Sequence, residues 1–336
     1  IDGEGEVSAK TRTVWARGEN AHVTIKGGKF VGADGNTEVI YASGANSVID
    51  IYGGEFEALQ QSTSFAAPQY AVLNLYGNGN NGCDINVFGG KFKNFNPSDN
   101  VSENPKKNFV EEGYVSIAEG EYFSVVPGKF VTSAEDFKAA LADEDIDNII
   151  LTSDVNLGTD ITAITTDKVI KGNGNKITAG GGSSSKSYGL QIANSANVII
   201  EDVKMENCGG MYVSDGGNLT VKDVTMKTTY STSGRHMFYV NDGVLNVESG
   251  TFEVLRTKSR YIVLQNNAKA YVKGGTWADM LSSGYDPVLV DAGCELAITG
   301  GKFQVNVSNY KFDPTPWVPA GYKTQVVGNY MEVLAE

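Results

Sequence analysis

The sequence predicts an all-β solenoid, and three observations carry that prediction. An eight-residue unit, VTIKGGKF at 23–30, returns as IDIYGGEF ending at Phe56, INVFGGKF at Phe92, LNVESGTF at Phe252, AYVKGGTW at Trp277 and LAITGGKF at Phe303. The spacing between neighbouring terminal aromatics is 25 or 26 residues, except for a 36-residue step between Phe56 and Phe92. Polar corners rich in Gly, Asn and Asp separate the apolar runs at matching offsets. A unit of this length cannot bury its apolar face alone, so it must stack on copies of itself.

Each element follows from its local pattern. Seven and five residues before each aromatic stands an apolar pair, such as Val23 and Ile25, Ile49 and Ile51, or Leu296 and Ile298. Alternation of this kind reads as a short strand with one buried face. Two further segments keep the pair, Val198 with Ile200 and Leu219 with Val221, but end at Met205 and Met226 and replace Gly-Gly with Asp-Val. An earlier strand is expected before each unit, for example at 13–16, 38–42, 189–192, 238–240, 261–264 and 288–290. Corners at 17–20, 43–46, 215–218, 242–243 and 291–293 join the two, because clustered Gly, Asn, Asp and Ser mark turns. Leucine-rich repeats have a similar period, but their leucine and asparagine ladder is missing and no unit contains a convincing helix.

Two longer-range signals divide the chain. FVEEGY at 109–114 and WVPAGY at 317–322 are each followed by a strand pair, and in both copies the tyrosines stand eight apart, Tyr114 with Tyr122 and Tyr322 with Tyr330. This duplication reads as a β cap over the last open edge of a solenoid, an edge that would otherwise invite aggregation. Ser133-Ala134-Glu135-Asp136 is a helix start with acid in the first turn, and Phe137, Ala140 and Leu141 give the helix one apolar face. The expected organisation is two tandem modules: 1–127, truncated at its start and ending in a cap, and 128–336, with a short helical N-terminal cap and a C-terminal cap. The opening residues 1–5 read as the end of a preceding coil, so the first coil is expected to continue into residues before Ile1 or into another chain.

Strands, glycine turns and corners together resemble the right-handed parallel β-helices of the pectate-lyase-like superfamily. The Gly-Gly-x-Phe rungs are similar to those of secreted or surface-exposed repeat proteins of gut bacteria. The resemblance spans most of the chain and implies a fold more than a chemistry, since the superfamily includes lyases, hydrolases, phage tailspikes and adhesins.

Composition narrows the function classes. The net charge of −13 argues against nucleic acid and anionic membrane as partners, and no apolar run approaches the length of a membrane span. Cys83, Cys208 and Cys294 are too few and too scattered for a disulfide framework or a metal cluster, and read as small residues within the stack. No cofactor is expected.

For an enzyme of the resembled superfamily, the residues to watch are Asp215, Asp242 and Asp291 with Arg235, His236 and Arg256. Aspartates at successive corners would form a carboxylate line with the chemistry to hold calcium, and the basic residues would supply the base. The bland reading is that corner aspartates serve their own backbone, as Asn194 and Asn267 do at comparable corners. The repeated aromatics are read as a core stack rather than a sugar platform. Contact is expected instead at the outward position four residues before each aromatic: Lys26, Tyr52, Phe88, Glu201, Lys222, Glu248, Lys273 and Thr299. Tyr52 and Phe88 interrupt a polar row there and, flanked by Asp50 and Asn86, form the candidate ligand-binding patch, unless the insertion at 60–69 folds over it.

The expected function is therefore a non-catalytic extracellular or cell-surface structural and adhesive solenoid that contacts a glycan or a surface protein along its side. Two alternatives stand beside it. One is a polysaccharide lyase or glycoside hydrolase; the other is a phage tailspike or virion fibre segment, which would be a homotrimer.

Overall fold

The computed structural model describes residues 1–63, 69–77, 81–180, 188–206, 209–228, 236–254, 260–278, 286–305 and 312–336. They form two compact units, Ile1–Lys129 and Phe130–Glu336. Both are built from long parallel sheets, as a β-solenoid requires.

In the first unit each coil gives one short strand to each of three sheets. One sheet aligns Val14–Ala16, Ile40–Ala42 and Leu73–Leu75; the second aligns His22–Ile25, Val48–Ile51 and Asp84–Val87. The third aligns Glu6–Ala9, Lys29–Gly32, Glu55–Ala58 and Gly90–Lys93. The register is that of the sequence repeat: Val23 faces Ile49, Ile49 faces Ile85, Phe30 faces Phe56 and Phe56 faces Phe92. Direction then reverses. Tyr122–Val131 pairs antiparallel with Gly90–Lys93, and Tyr114–Glu119 pairs back onto it.

The Gly-Gly step has two separate physical causes. At Gly53 a Cβ would run into the carbonyl oxygen of Lys26 on the preceding coil. Gly54 holds φ at +112°, a backbone state that side-chain-bearing residues resist. Beyond this turn the aromatics re-enter the core. Phe30, Phe56 and Phe92 are fully buried and stack at 5.1 and 4.9 Å, so neighbouring coils are held by the offset ring packing that aromatic pairs favour.

The second unit opens with a helix, Ala134–Ala142. Ser133 caps it by accepting from the Asp136 amide, and Phe137, Ala140 and Leu141 are buried. Lys168, only 2% exposed, donates from Nζ to the carbonyls of Asp143 and Ile146 just past the helix end. Three parallel ladders follow. The early strands run from Thr162–Ile164 to Val288–Val290, and the main strands from Asn148–Leu151 to Glu295–Ile298. The third ladder runs from Lys204–Glu206 to Gly301–Gln304 and ends, as in the first unit, on an antiparallel hairpin, Tyr322–Val327 with Tyr330–Ala335. Met205, Met226, Phe252, Trp277 and Phe303 form a buried column of the second unit's own. Where Gly-Gly is replaced by Asp-Val, the positive φ moves to the first residue, Asp202 at +51° and Asp223 at +52°.

Candidate functional site

The sheet of His22–Ile25, Val48–Ile51 and Asp84–Val87 turns Val23, Ile25, Ile49, Ile51, Ile85 and Val87 inward and leaves His22, Thr24, Val48, Asp50, Asp84 and Asn86 outward. Tyr52 and Phe88 continue the ladder one step beyond the strands, each amide donating to the preceding coil, Tyr52 to Ile25 and Phe88 to Ile51. Their rings stack at 4.7 Å with planes 8° apart. Phe88 is half-buried and packs nearly perpendicular to Tyr114 at 5.6 Å. Tyr52 is 50% exposed, and its hydroxyl has no protein partner among the described residues. One ring thus supports the other and leaves it open to solvent.

A polar network fixes the floor beside the rings. Asn86 donates to Asp50 Oδ1 at 2.9 Å, and His22 Nε2 lies 2.6 Å from Asp50 Oδ2. A carboxylate can only accept, so the His22 proton sits on Nε2. Lys106 reaches in from 94–107, donating to Asp84 at 2.6 Å and to the Ile85 carbonyl at 2.9 Å. With both oxygens of Asp50 engaged, the group is held as a fixed polar contact. The described part of the insertion at 60–69 lies elsewhere: Thr63 bonds to Asn36, and Gln61 packs beside Gly35.

The second unit treats the same outward row differently. Lys222 meets Glu201 at 2.8 Å, and Lys273 meets Glu248 at 2.8 Å. Where the first unit carries stacked rings, the second carries charges of alternating sign.

The corner aspartates are local in character. Asp215 and Asp242 hold φ at +50° and +58°, and Asn194 and Asn266 do the same at the matching points of other coils. Asn and Asp tolerate this region better than other side chains, which accounts for the residue type. The Asp215 carboxylate accepts from Ser214 at 3.0 Å. Asp291 lies one residue earlier in register, opposite Gln265, from which it accepts at 2.8 Å. His236 is mostly buried beside Tyr239, and its pKa falls to about 4, first through burial and then through the Arg260 charge. Arg235, Arg256 and Cys208 lie outside the described residues. Among the described residues no three His, Cys, Asp or Glu side chains group to hold a metal ion. Cys83 is buried and Cys294 half-buried, both as free thiols.

One further feature had no counterpart in the sequence reading. On the outer face of the early strands Tyr212 and Tyr239 stand in register, 5.2 Å apart, and Tyr188 packs against both at 5.6 and 5.7 Å. Tyr239 donates to Gln265, and Asn241 donates to the Tyr212 hydroxyl at 3.2 Å. Burial, then Tyr212 and Asp291, raise the Tyr239 phenol pKa. The signal available was the recurrence of tyrosine at the middle of two successive early strands.

The comparisons bear on the second unit. No curated protein and no solved structure matches the chain. Residues 128–239, about a third of the chain, match the family model described as "Putative pectate lyase-like adhesive domain", a match that supports an adhesive role for a chain whose parallel sheets fit a pectate-lyase-like β-helix.

Proposed function

We propose that this chain is a non-catalytic adhesive solenoid acting outside the cell or at a cell surface, with a glycan as the partner of its first unit. The observation that carries the reading is the Tyr52–Phe88 stack, an open aromatic face beside the fixed polar floor of Asp50 and Asn86. A ring supported from behind keeps its conformation when free, so little ordering cost remains to be met on binding. Sugar rings present a C–H face to such a surface and hydroxyls to the carboxylate and amide next to it.

In this reading the chain is two tandem modules, and the hairpins Tyr114–Glu119 with Tyr122–Val131 and Tyr322–Val327 with Tyr330–Ala335 cap them. The helix Ala134–Ala142 opens the second module. Among the described residues no helix is long and apolar enough to cross a membrane.

A glycan array probed with the wild type, Tyr52→Ala and Phe88→Ala tests the assignment. Binding by the wild type that both variants lose is the expected result. Wild-type binding unchanged in Tyr52→Ala removes this face as the contact; no binding to any glycan turns the reading toward a protein partner.

A further inference from the structure

The first unit has a polar cavity on a different sheet from the Tyr52 face. Trp15, Tyr41 and Asn74 stand in register on the outer side of the sheet formed by Val14–Ala16, Ile40–Ala42 and Leu73–Leu75. Beside them lies a cavity of about 420 Å³, whose polar lining includes Arg12, Asn36, Glu38, Ser62, Ser102 and Glu103. That volume falls within the ~300–1,000 Å³ typical of small-molecule sites.

The wall is wired together. Arg12 lies over the rings of Trp15 and Tyr41, 4.8 and 4.3 Å from their centroids, and its Nη2 is 2.7 Å from Glu38 Oε2. Glu38 is only 6% exposed and accepts from Asn74 at 2.8 Å. The Asn74 side-chain oxygen takes the Ser102 hydroxyl at 2.8 Å and the Glu103 amide at 2.9 Å. Glu103 in turn receives the Tyr41 hydroxyl at 3.4 Å. Burial, reinforced by Glu103 and Glu38, pushes the Tyr41 phenol pKa up, so it remains a donor.

Glu38 Oε2 is answered by the Arg12 charge at 2.7 Å, and Arg12 Nε is a buried donor without an acceptor. The rest of the polar lining consists of amide, hydroxyl and carboxylate groups from Asn36, Ser62, Ser102 and Glu103. Groups of these kinds pair with hydroxyls, which both donate and accept.

We infer that this cavity binds one uncharged sugar residue, a chain end or side branch, through its hydroxyl groups. Charge selects against acidic sugars: Glu38 and Glu103 outnumber Arg12, so a uronate carboxylate would meet a wall of its own sign. Trp15, 44% exposed and bonded to Ser43 at 2.7 Å, stands next to Arg12 at the rim.

The test is calorimetric titration of the whole chain with the methyl glycosides of glucose, galactose, mannose, fucose and N-acetylglucosamine, and with sodium galacturonate. At least one neutral glycoside is expected to bind in the millimolar range and galacturonate to bind more weakly. Glu103→Ala, with its melting curve checked, is expected to weaken that binding about tenfold, the effect of losing one good hydrogen bond in a polar site. Tyr52→Ala is expected to leave it unchanged, which separates this cavity from the outer face. The inference fails if no neutral glycoside binds the wild type, if galacturonate binds at least as well, or if a folded Glu103→Ala binds like the wild type. Should Glu103→Ala not fold, Asn36→Ala takes its place under the same criterion.

Discussion

A Cβ built on Gly89 would overlap the carbonyl oxygen of Tyr52 on the coil before it. The backbone beneath the exposed ring is therefore in contact with the glycine that turns the next coil. Gly89→Ala is expected to destabilise the first unit by about 1–3 kcal/mol, the usual cost of forcing extra volume into a packed site. Gly5, with nothing within 4 Å of its would-be Cβ and no positive φ, is the control. Urea unfolding of the two alanine variants should separate them clearly; equal midpoints would remove the close approach as the reason for glycine.

Tyr52 and Phe88 should be energetically coupled. Stacked rings contribute about 0.5–1.5 kcal/mol beyond their area burial. A double-mutant cycle with Tyr52→Ala and Phe88→Ala is expected to return a coupling in that range, while Tyr52→Ala alone costs little because half of the residue already faces water. A coupling near zero would mean that the rings are merely adjacent.

Lys168 tests the second unit at its helix end. Lys168→Met keeps the length of the side chain but leaves the carbonyls of Asp143 and Ile146 without their donor. Removing the buried charge recovers some desolvation energy, but each stranded carbonyl costs about 1–3 kcal/mol, and a cation near a helix C-terminus is favourable. The net expectation is a loss of about 2 kcal/mol, read by thermal or urea unfolding, with the far-ultraviolet spectrum unchanged.

His236 gives the second unit a dependence on pH. Its folded pKa, about 4, lies below the ordinary 6.5, so the unfolded chain binds the proton more readily. The contribution is complete above pH 6.5 and is lost as the pH falls from there toward 4. Stability in urea at pH 7.5 and pH 5 should differ more for the wild type than for His236→Gln. A difference unaltered by the substitution would place the proton uptake on other groups.

The solenoid was legible because its cause is periodic: Val23, Ile49 and Ile85 meet in the fold as they align in the sequence. The Gly-Gly steps and the buried phenylalanine column follow from the same period. The Tyr52–Phe88 pair was legible as a break in a polar row, and the two rings do stack. What joins one coil to another by side chain was not legible. His22 and Asp50 stand a whole coil apart, and Tyr41 reaches Glu103 across 62 positions. Residues 94–107, read as polar loop, bring Ser102, Glu103 and Lys106 to three different partners through backbone conformations that no repeat announces. The aspartate line lacked register information of one residue, enough to set Asp291 beside Gln265 instead of in line with Asp215 and Asp242.

The row that holds Tyr52 and Phe88 in one unit and Glu201, Lys222, Glu248 and Lys273 in the other has a consequence for how such a protein diversifies. Apart from Phe88, which packs against Tyr114, those side chains stand on top of a core they do not help to build, so the occupant of such a position can be exchanged without solving the packing again. Neighbouring positions lie roughly 4.8 Å apart along the strand-pairing direction. On the proposed adhesive reading, the contact surface can thus be rewritten one coil at a time within each unit while the scaffold below stays the same.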